Sequence, residues 1–327
     1  MQVDLRGRII SDNNHICVRY EGKIMQFCYV VLHYKNNKDT EKCIESLIHT
    51  TSELSRIIIV DNGSNDGSGE KLEKKYHSNR QCEFILLRKN LGFSKGNNAG
   101  YLLAKQKYNP DFIVITNNDV VFYQNNFEDN VREIFVRTKF DVLGPDIYIP
   151  RHGDHQSPLF KTAISIDELR NELAEYRYYL DHPSRFSKRL KIHAIKNRLC
   201  SHSAFIRFIY SKIRKKDNMD YKKEYEAVGL QGACLIFSKK FIQKENKAFE
   251  PEPFLYEEEV FLFFRCRKKG YKMIYSPKVA IKHEEAASFK NANRDNNERL
   301  KYMLKHHVTS REMLLDYIEN SVEDRIA

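Results

Sequence analysis

FIVITNNDVVF, residues 112–122, opens with five apolar or β-branched residues, turns polar at Asn117, Asn118 and Asp119, and becomes apolar again. A run of that length suits a buried strand better than a helix. Asn and Asp can simply turn the chain at a strand end. Alternatively, Asp119 leaves the sheet as a carboxylate able to hold a hard divalent cation. The surrounding sequence bears on the choice. FCYVVLHY (27–34), RIIIVDNGSNDGS (56–68) and FILLRKN (84–90) are further short apolar runs, and TEKCIESLIHT (40–50) between the first two has helical spacing. Strands alternating with amphipathic helices predict an α/β domain with a largely parallel sheet. Ligands of such sheets bind at the carboxyl ends of the strands. Polar residues collect at those ends here, namely Tyr34, Asp61, Arg88 and the stretch from Asn117 to Asp119.

The same patterning predicts five segments. Residues 1–25 form an extension with a hairpin around Asp12 to Asn14. Residues 26–149 carry the alternating strands and helices. Residues 150–227 break that rhythm as a basic helical insert, 228–287 resume it, and 288–327 form a polar helical tail. In the fourth segment, GLQGACLIFSKKFI (229–242) reads as a loop and strand. EPEPFLYEEEVFLFFRCRKKGYKMIYSP (250–277) then reads as a loop, a helix and another strand. That helix begins with acids and ends with Lys268, Lys269 and a capping Gly270, as the helix dipole and the left-handed cap favour.

The net charge of +11 is concentrated. Between Arg185 and Lys216 there are eleven Lys and Arg and no acid, so the rest of the chain sums to zero. At helical spacing, Ile195, Leu199, His202, Ile206, Ile209 and Ile213 share one narrow face, with Lys196, Arg198, Arg207, Lys212 and Arg214 around it. That pattern fits a helix lying on an anionic membrane, and fits equally a helix packed on the domain with a solvated basic face. No stretch approaches the roughly 20 apolar residues of a membrane span, and residues 1–20 lack a basic-then-apolar signal. The expected location is cytoplasmic, with peripheral contact at the inner face of the plasma membrane. Seven scattered cysteines without a CxxC pair read as reduced packing residues.

RKNLGFSKGNNAG (88–100) has three glycines, Gly92, Gly96 and Gly100, around Asn97 and Asn98. As a loop it would let backbone approach a phosphate or sugar. It is neither GxGxxG nor a P-loop, so dinucleotide and NTPase readings lose their usual support. Asp61 at its strand end is suited to accept a hydrogen bond from a base or ribose.

Taken in order, YVVLHYKNNKDTEKCIESL, IIIVDNGSNDGS, RKNLGFSKGNNAG, FIVITNNDVVF, GACLIFSKK, FLYEEEVFLFFRCRKKGY and KVAIKH resemble the family 2 glycosyltransferases of GT-A fold, in particular the bacterial rhamnosyl- and galactofuranosyltransferase-like branch. The resemblance runs from about Gln26 to His283, apart from the insert. It implies a nucleotide-sugar-binding half at 26–149 and an acceptor-binding, catalytic half at 228–287. Tyr34, Asp61, Arg88, Gly96, Asn98, Asn117 and Asn118 would contact the nucleotide sugar. Asn117-Asn118-Asp119 would stand where the family has its DxD-type motif, which leaves Asp119 as the main carboxylate for Mg²⁺ or Mn²⁺ and His283 as a further ligand. YEEEVFL would supply the general base, with Glu259 in that position and Glu258 beside it. The base is Glu where the family usually has Asp, and the later Asp of the pattern is Phe261. Gly232 and Ala233 would face the acceptor.

The reaction so implied is a metal-dependent, inverting transfer from a nucleotide-diphosphate sugar to a glycan, lipid-linked, in cell-surface polysaccharide synthesis. Two alternatives remain. A sugar nucleotidyltransferase would carry a Gly-rich, Arg/Lys-bearing signature near its N-terminus, which is absent here. A nucleic-acid-binding protein would use the basic segment, although no nucleic-acid partner is expected.

Overall fold

The computed structural model describes residues 25–151, 153–189, 219–284 and 296–323, together with short strand pieces between residues 2 and 24. Residues Asp12 to Asn14 and nearly all of the basic segment, including the face from Ile195 to Ile213, lie outside the described residues. The pieces flanking that turn, Ile9–Ile10 and Ile16–Cys17, do pair antiparallel.

The first half alternates as the sequence predicts. Strand β1 (Phe27–His33) leads to helix α1 (Asn37–Thr50), β2 (Arg56–Asp61) to α2 (Ser68–Tyr76), and β3 (Cys82–Leu86) to α3 (Gly92–Leu103). Then follow β4 (Phe112–Asn117), the short β5 (Val120–Val121), α4 (Phe127–Thr138) and β6 (Val142–Ile149). After β7 (Asp154–His155) and α5 (Ile166–Asp181) come β8 (Tyr225–Glu226), β9 (Cys234–Ser238), α6 (Lys239–Lys244), α7 (Glu258–Lys269), β10 (Met273–His283) and α8 (Asn296–Glu323). No described helix is long and apolar enough to cross a membrane.

One ten-stranded sheet runs in the order β5-β10-β6-β9-β4-β1-β2-β3, with β7 beside β6 and β8 beside β10. Strands β3, β2, β1 and β4 are mutually parallel. β9 enters antiparallel between β4 and β6, and turns the parallel half into a mixed sheet. The pleat explains the two cores. Phe27, Tyr29 and Val31 of β1 face α1, α2 and α4 through residues such as Ile44, Leu72 and Val131. Cys28 and Val30 face the opposite way, toward Tyr101, Phe241 and Phe263 on α3, α6 and α7. Each such burial contributes about 1.5–3 kcal/mol. β1, buried on both faces, is therefore firmly held, and the polar residues beyond His33 are presented from a fixed support.

The reading of GFSKGNNAG as a loop is corrected, because residues 92–103 are helix α3. Its glycines recur every fourth residue and form a smooth stripe. A Cβ on Gly92 would lie 2.7 Å from Phe254 Cδ2, one on Gly96 2.6 Å from Leu32 Cδ1, and one on Gly100 2.9 Å from Val60 Cγ2. Close packing of α3 onto the sheet at Gly96 and Gly100, and onto the Phe254 loop at Gly92, thus outweighs the poor helix propensity of glycine. The helix at 258–269 ends as expected, with Gly270 in the left-handed conformation at φ 67°.

Candidate active site

A cleft of about 540 Å³ opens at the carboxyl ends of β1 and β4. Leu32 and Tyr34 line it from β1, and Asn117, Asn118 and Asp119 from β4. Asn62, Asn90, Gly92, Phe93, Phe254, Leu255, His283 and Tyr302 complete the lining, with the Phe93 amide donating to the Phe254 carbonyl at 2.7 Å.

Asp119 and His283 meet because β5 pairs antiparallel with β10, which sets Val120 opposite His283. The Glu284 amide donates to the Asp119 carbonyl at 2.9 Å. His283 Nε2 lies 3.1 Å from Asp119 Oδ1, and His283 Nδ1 lies 2.7 Å from Gln156 Oε1. Gln156 Oε1 accepts from Nδ1, which leaves Nε2 facing the Asp119 carboxylate with a proton or a cation between them. The donor set, one imidazole oriented by an amide and one carboxylate, therefore fits a divalent cation. Among the described residues no cluster of three His, Cys, Asp or Glu side chains suits a metal. A cation at this pair would complete its shell with water and substrate oxygens, as Mg²⁺ commonly does.

A buried chain of polar groups runs behind the cleft. Asn118 Nδ2 donates to Thr40 Oγ1 at 2.8 Å, and Thr40 Oγ1 donates to the Asn36 carbonyl. Thr40 has no second proton, so His33 Nδ1, 2.7 Å away, must donate to it. Ser68 Oγ then donates to His33 Nε2 at 2.9 Å. Burial lowers the pKa of His33 against the pull of Asp61 and Asp66, which agrees with a neutral ring. Asp61 itself is buried at the end of β2 and accepts from the Ser64 amide at 3.2 Å and from the Ser64 hydroxyl.

The remaining expected residues are distributed unequally. Asn98 is not at the cleft surface. Its amide nitrogen donates to the Phe249 carbonyl and Glu252, its oxygen accepts from the Ala248 and Phe249 amides, and no hydrogen-bonding capacity is left for a ligand. Gly96 packs against Leu32 and Asn62 rather than presenting backbone to a phosphate. Arg88 is exposed beyond β3, outside the cleft lining. Asn62, which sequence reasoning passed over, proves central: it accepts from the Leu91 amide at 2.9 Å and donates to Asn90 and to the Gly92 carbonyl. It thereby fixes the turn that starts α3. Gln156 and Tyr302 were also missed, and neither has a local sequence signal.

Glu258 and Glu259 open α7. The Gly232 amide donates to Glu259 Oε1 at 3.1 Å, and a Cβ at 232 would lie only 2.8 Å from that oxygen. Next to it, the Asn117 amide donates to the Ala233 carbonyl at 2.9 Å, which links the acids to the cleft wall. Burial raises the pKa of both acids. Glu258 is raised well above the carboxylate range by burial and then by the charge of Glu259, and backbone amides oppose the rise at both acids. The Gly232 amide favours the ionised form of Glu259.

A profile of the family described as Glycosyl transferase family 2 matches residues 28–214, more than half of the chain. No curated protein matches significantly. Among solved structures, the crystal structure of GalNAc-T7 with UDP, GalNAc and Mn²⁺ is similar at 13% identity and a TM-score of 0.52, over 81% of this chain and 44% of that one. The crystal structure of S. aureus TarS 1-349 is matched at 13% identity and a TM-score of 0.49, over 84% of this chain and 68% of that one. At such identity the GalNAc-T7 likeness is one of fold, which is GT-A.

Proposed function

The chain belongs to glycosyltransferase family 2, and from that premise we propose a metal-dependent, inverting transfer from a nucleotide-diphosphate sugar to a glycan acceptor. The observation that carries the reading is the Asp119–His283 pair at the cleft, 3.1 Å apart and oriented by Gln156. Asp119 and His283 would hold a divalent cation, which would supply charge neutralisation for the diphosphate leaving group. The crystallisation of GalNAc-T7 with UDP and Mn²⁺ supports a cation and a nucleotide diphosphate in this fold.

The chain's own residues do the rest. Asn62 and its partners Asn90 and Gly92 shape the donor side of the cleft, and Tyr34 offers a half-exposed ring to the nucleoside. Asn117 and Asn118 border the diphosphate, and Asp61 acts behind them through Ser64 and the His33 chain. Glu259 takes the proton of the acceptor hydroxyl as that oxygen attacks the anomeric carbon and the bond to the diphosphate breaks. A single displacement inverts the configuration, and no covalent sugar–enzyme intermediate is needed. Gly232 serves the acceptor through Glu259, whose carboxylate its amide holds. We assign the acceptor to the lipid-linked glycans of cell-surface polysaccharide synthesis, met at the cytoplasmic membrane face with help from the basic segment 185–216.

The test is thermal stabilisation by a panel of sugar nucleotides with and without Mn²⁺ or Mg²⁺, since a ligand that binds the folded state raises its stability. Wild-type protein should respond to one nucleotide class only when the cation is present, and Asp119→Ala should lose that response while melting normally without ligand. An identical metal-dependent response in Asp119→Ala would overturn the assignment.

A further inference from the structure

The turn that presents the two acids is strained. Tyr256 and Glu257, the residues immediately before Glu258, both have left-handed backbones, at φ 71° and 68°. Neither is a glycine, and such conformations persist only where the surroundings impose them. The surroundings come from α8, a helix in the tail that the family profile does not reach.

Three consecutive residues of the turn are each held by that helix. Ser310 Oγ donates to the Leu255 carbonyl at 2.5 Å. The Tyr256 ring stacks on His307, with centroids 3.7 Å apart and planes 9° from parallel. Arg311 reaches Glu257 Oε1 at 2.8 Å, with both side chains 12% exposed. Arg311 is itself fixed on every side: it donates to Glu172 of α5 at 3.1 Å, to His307 Nδ1 at 3.0 Å, and lies 4.3 Å over the Tyr176 ring. His307 accepts from a guanidinium and is therefore neutral, and burial, with Arg311 next, pushes its pKa down to about 4. Tyr302 on the same helix lines the cleft.

We infer that Arg311 is a positioning residue of the transfer reaction, which through Glu257 locks the left-handed turn and so aims Glu259. The inference rests on the reading of Glu259 as the base. It gives α8 and the first helix of the insert a shared purpose: α5 braces Arg311 through Glu172, and Arg311 braces the turn. The Phe261 amide, which donates to the Glu257 carbonyl at 2.9 Å, closes the first turn of α7 on the residue that Arg311 holds.

The test compares Arg311→Met with Arg170→Met, which breaks an exposed α5–α8 ion pair, Arg170–Glu319 at 2.7 Å, away from the turn. Hydrogen exchange of the full chain is the first readout. Arg311→Met should speed exchange of amides 257–262 at least roughly 10-fold, and Arg170→Met should leave them unchanged. Transfer kinetics are the second. Arg311→Met should lower kcat roughly 10- to 100-fold with the donor KM unchanged, and Arg311→Lys should recover part of the loss. Ser310→Ala removes only a hydroxyl and should speed exchange at the turn by roughly 3-fold, which keeps the idea testable if Arg311→Met fails to fold. Unchanged exchange in Arg311→Met or Ser310→Ala, or equal changes in Arg170→Met, would overturn the positioning role. Faster exchange at the turn in a protein that transfers no sugar from any donor would uphold the lock and overturn the reading of Glu259.

Discussion

Replacing Gly232 with alanine tests the link between the backbone and the proposed base, Glu259, most directly. The added methyl carbon would sit 2.8 Å from Glu259 Oε1 and 3.1 Å from Glu259 Cδ. The carboxylate is the far end of a flexible side chain, so it can swing away at small cost to the fold, but it then leaves the Gly232 amide, now 3.1 Å from it. A hydrogen bond to a charged group contributes about 1.5–3 kcal/mol. Full expression of that loss in the transition state lowers kcat roughly 10- to 100-fold. The pH dependence has a definite sign. Burial already raises the pKa of Glu259, and the Gly232 amide opposes the rise. Without that bond the carboxyl holds its proton more tightly, and the base must be ionised to work. The acid limb of the kcat–pH profile should therefore move to higher pH, with activity lost earlier as pH falls. Initial rates across pH with a saturating donor measure both effects, and calorimetry of donor binding supplies the control. Wild-type kcat with an unmoved acid limb, in a variant that melts normally, would refute the reasoning.

Glu259→Gln should keep nucleotide affinity and lose turnover by roughly 10²-fold or more; if instead Glu258→Gln is the inactive variant, the base assignment shifts by one residue. Asn98→Ala leaves several buried partners unsatisfied around residues 248–252 and should destabilise the protein by about 2–4 kcal/mol, read by urea denaturation, without changing nucleotide affinity. Co-sedimentation with vesicles should show binding to anionic but not neutral lipid. That binding should weaken as salt rises, since the Debye length falls from about 10 Å at 0.1 M to about 3 Å at 1 M. Equal binding to both lipids would remove the docking role of residues 185–216.

The strands were legible because β-branched runs buried on both faces leave few alternatives; Arg56–Asp61 and Phe112–Asn117 fall where their sequences predict. Helix α7 was legible from its acids, its basic last turn and Gly270. The glycine stripe of α3 was not, because glycine at a four-residue spacing signals a loop by propensity and a helix only once the opposing side chains of Val30 and Leu32 are in place. Resemblance suggested Asp119 and His283 as partners, but the register that sets Val120 against His283 is a property of the folded sheet. Gln156 and Tyr302 had no local signature, since each acts on the cleft from an element distant in sequence. Arg88 illustrates the converse: a polar residue at a strand end is not thereby at the site, since β3 is the last strand of the sheet order.

The β5–β10 pairing has a bearing on how the chain matures. Asp119 and His283 are separated by 164 positions, and β10 must lie between β5 and β6 before they meet. The parallel strands β1 to β4 use mostly local crossovers, whereas the Asp119–His283 pair does not exist until β10 has inserted beside β6. The proposed cation site is therefore a product of the completed sheet, even though most of the residues proposed to face the donor sit on or beside the first four strands.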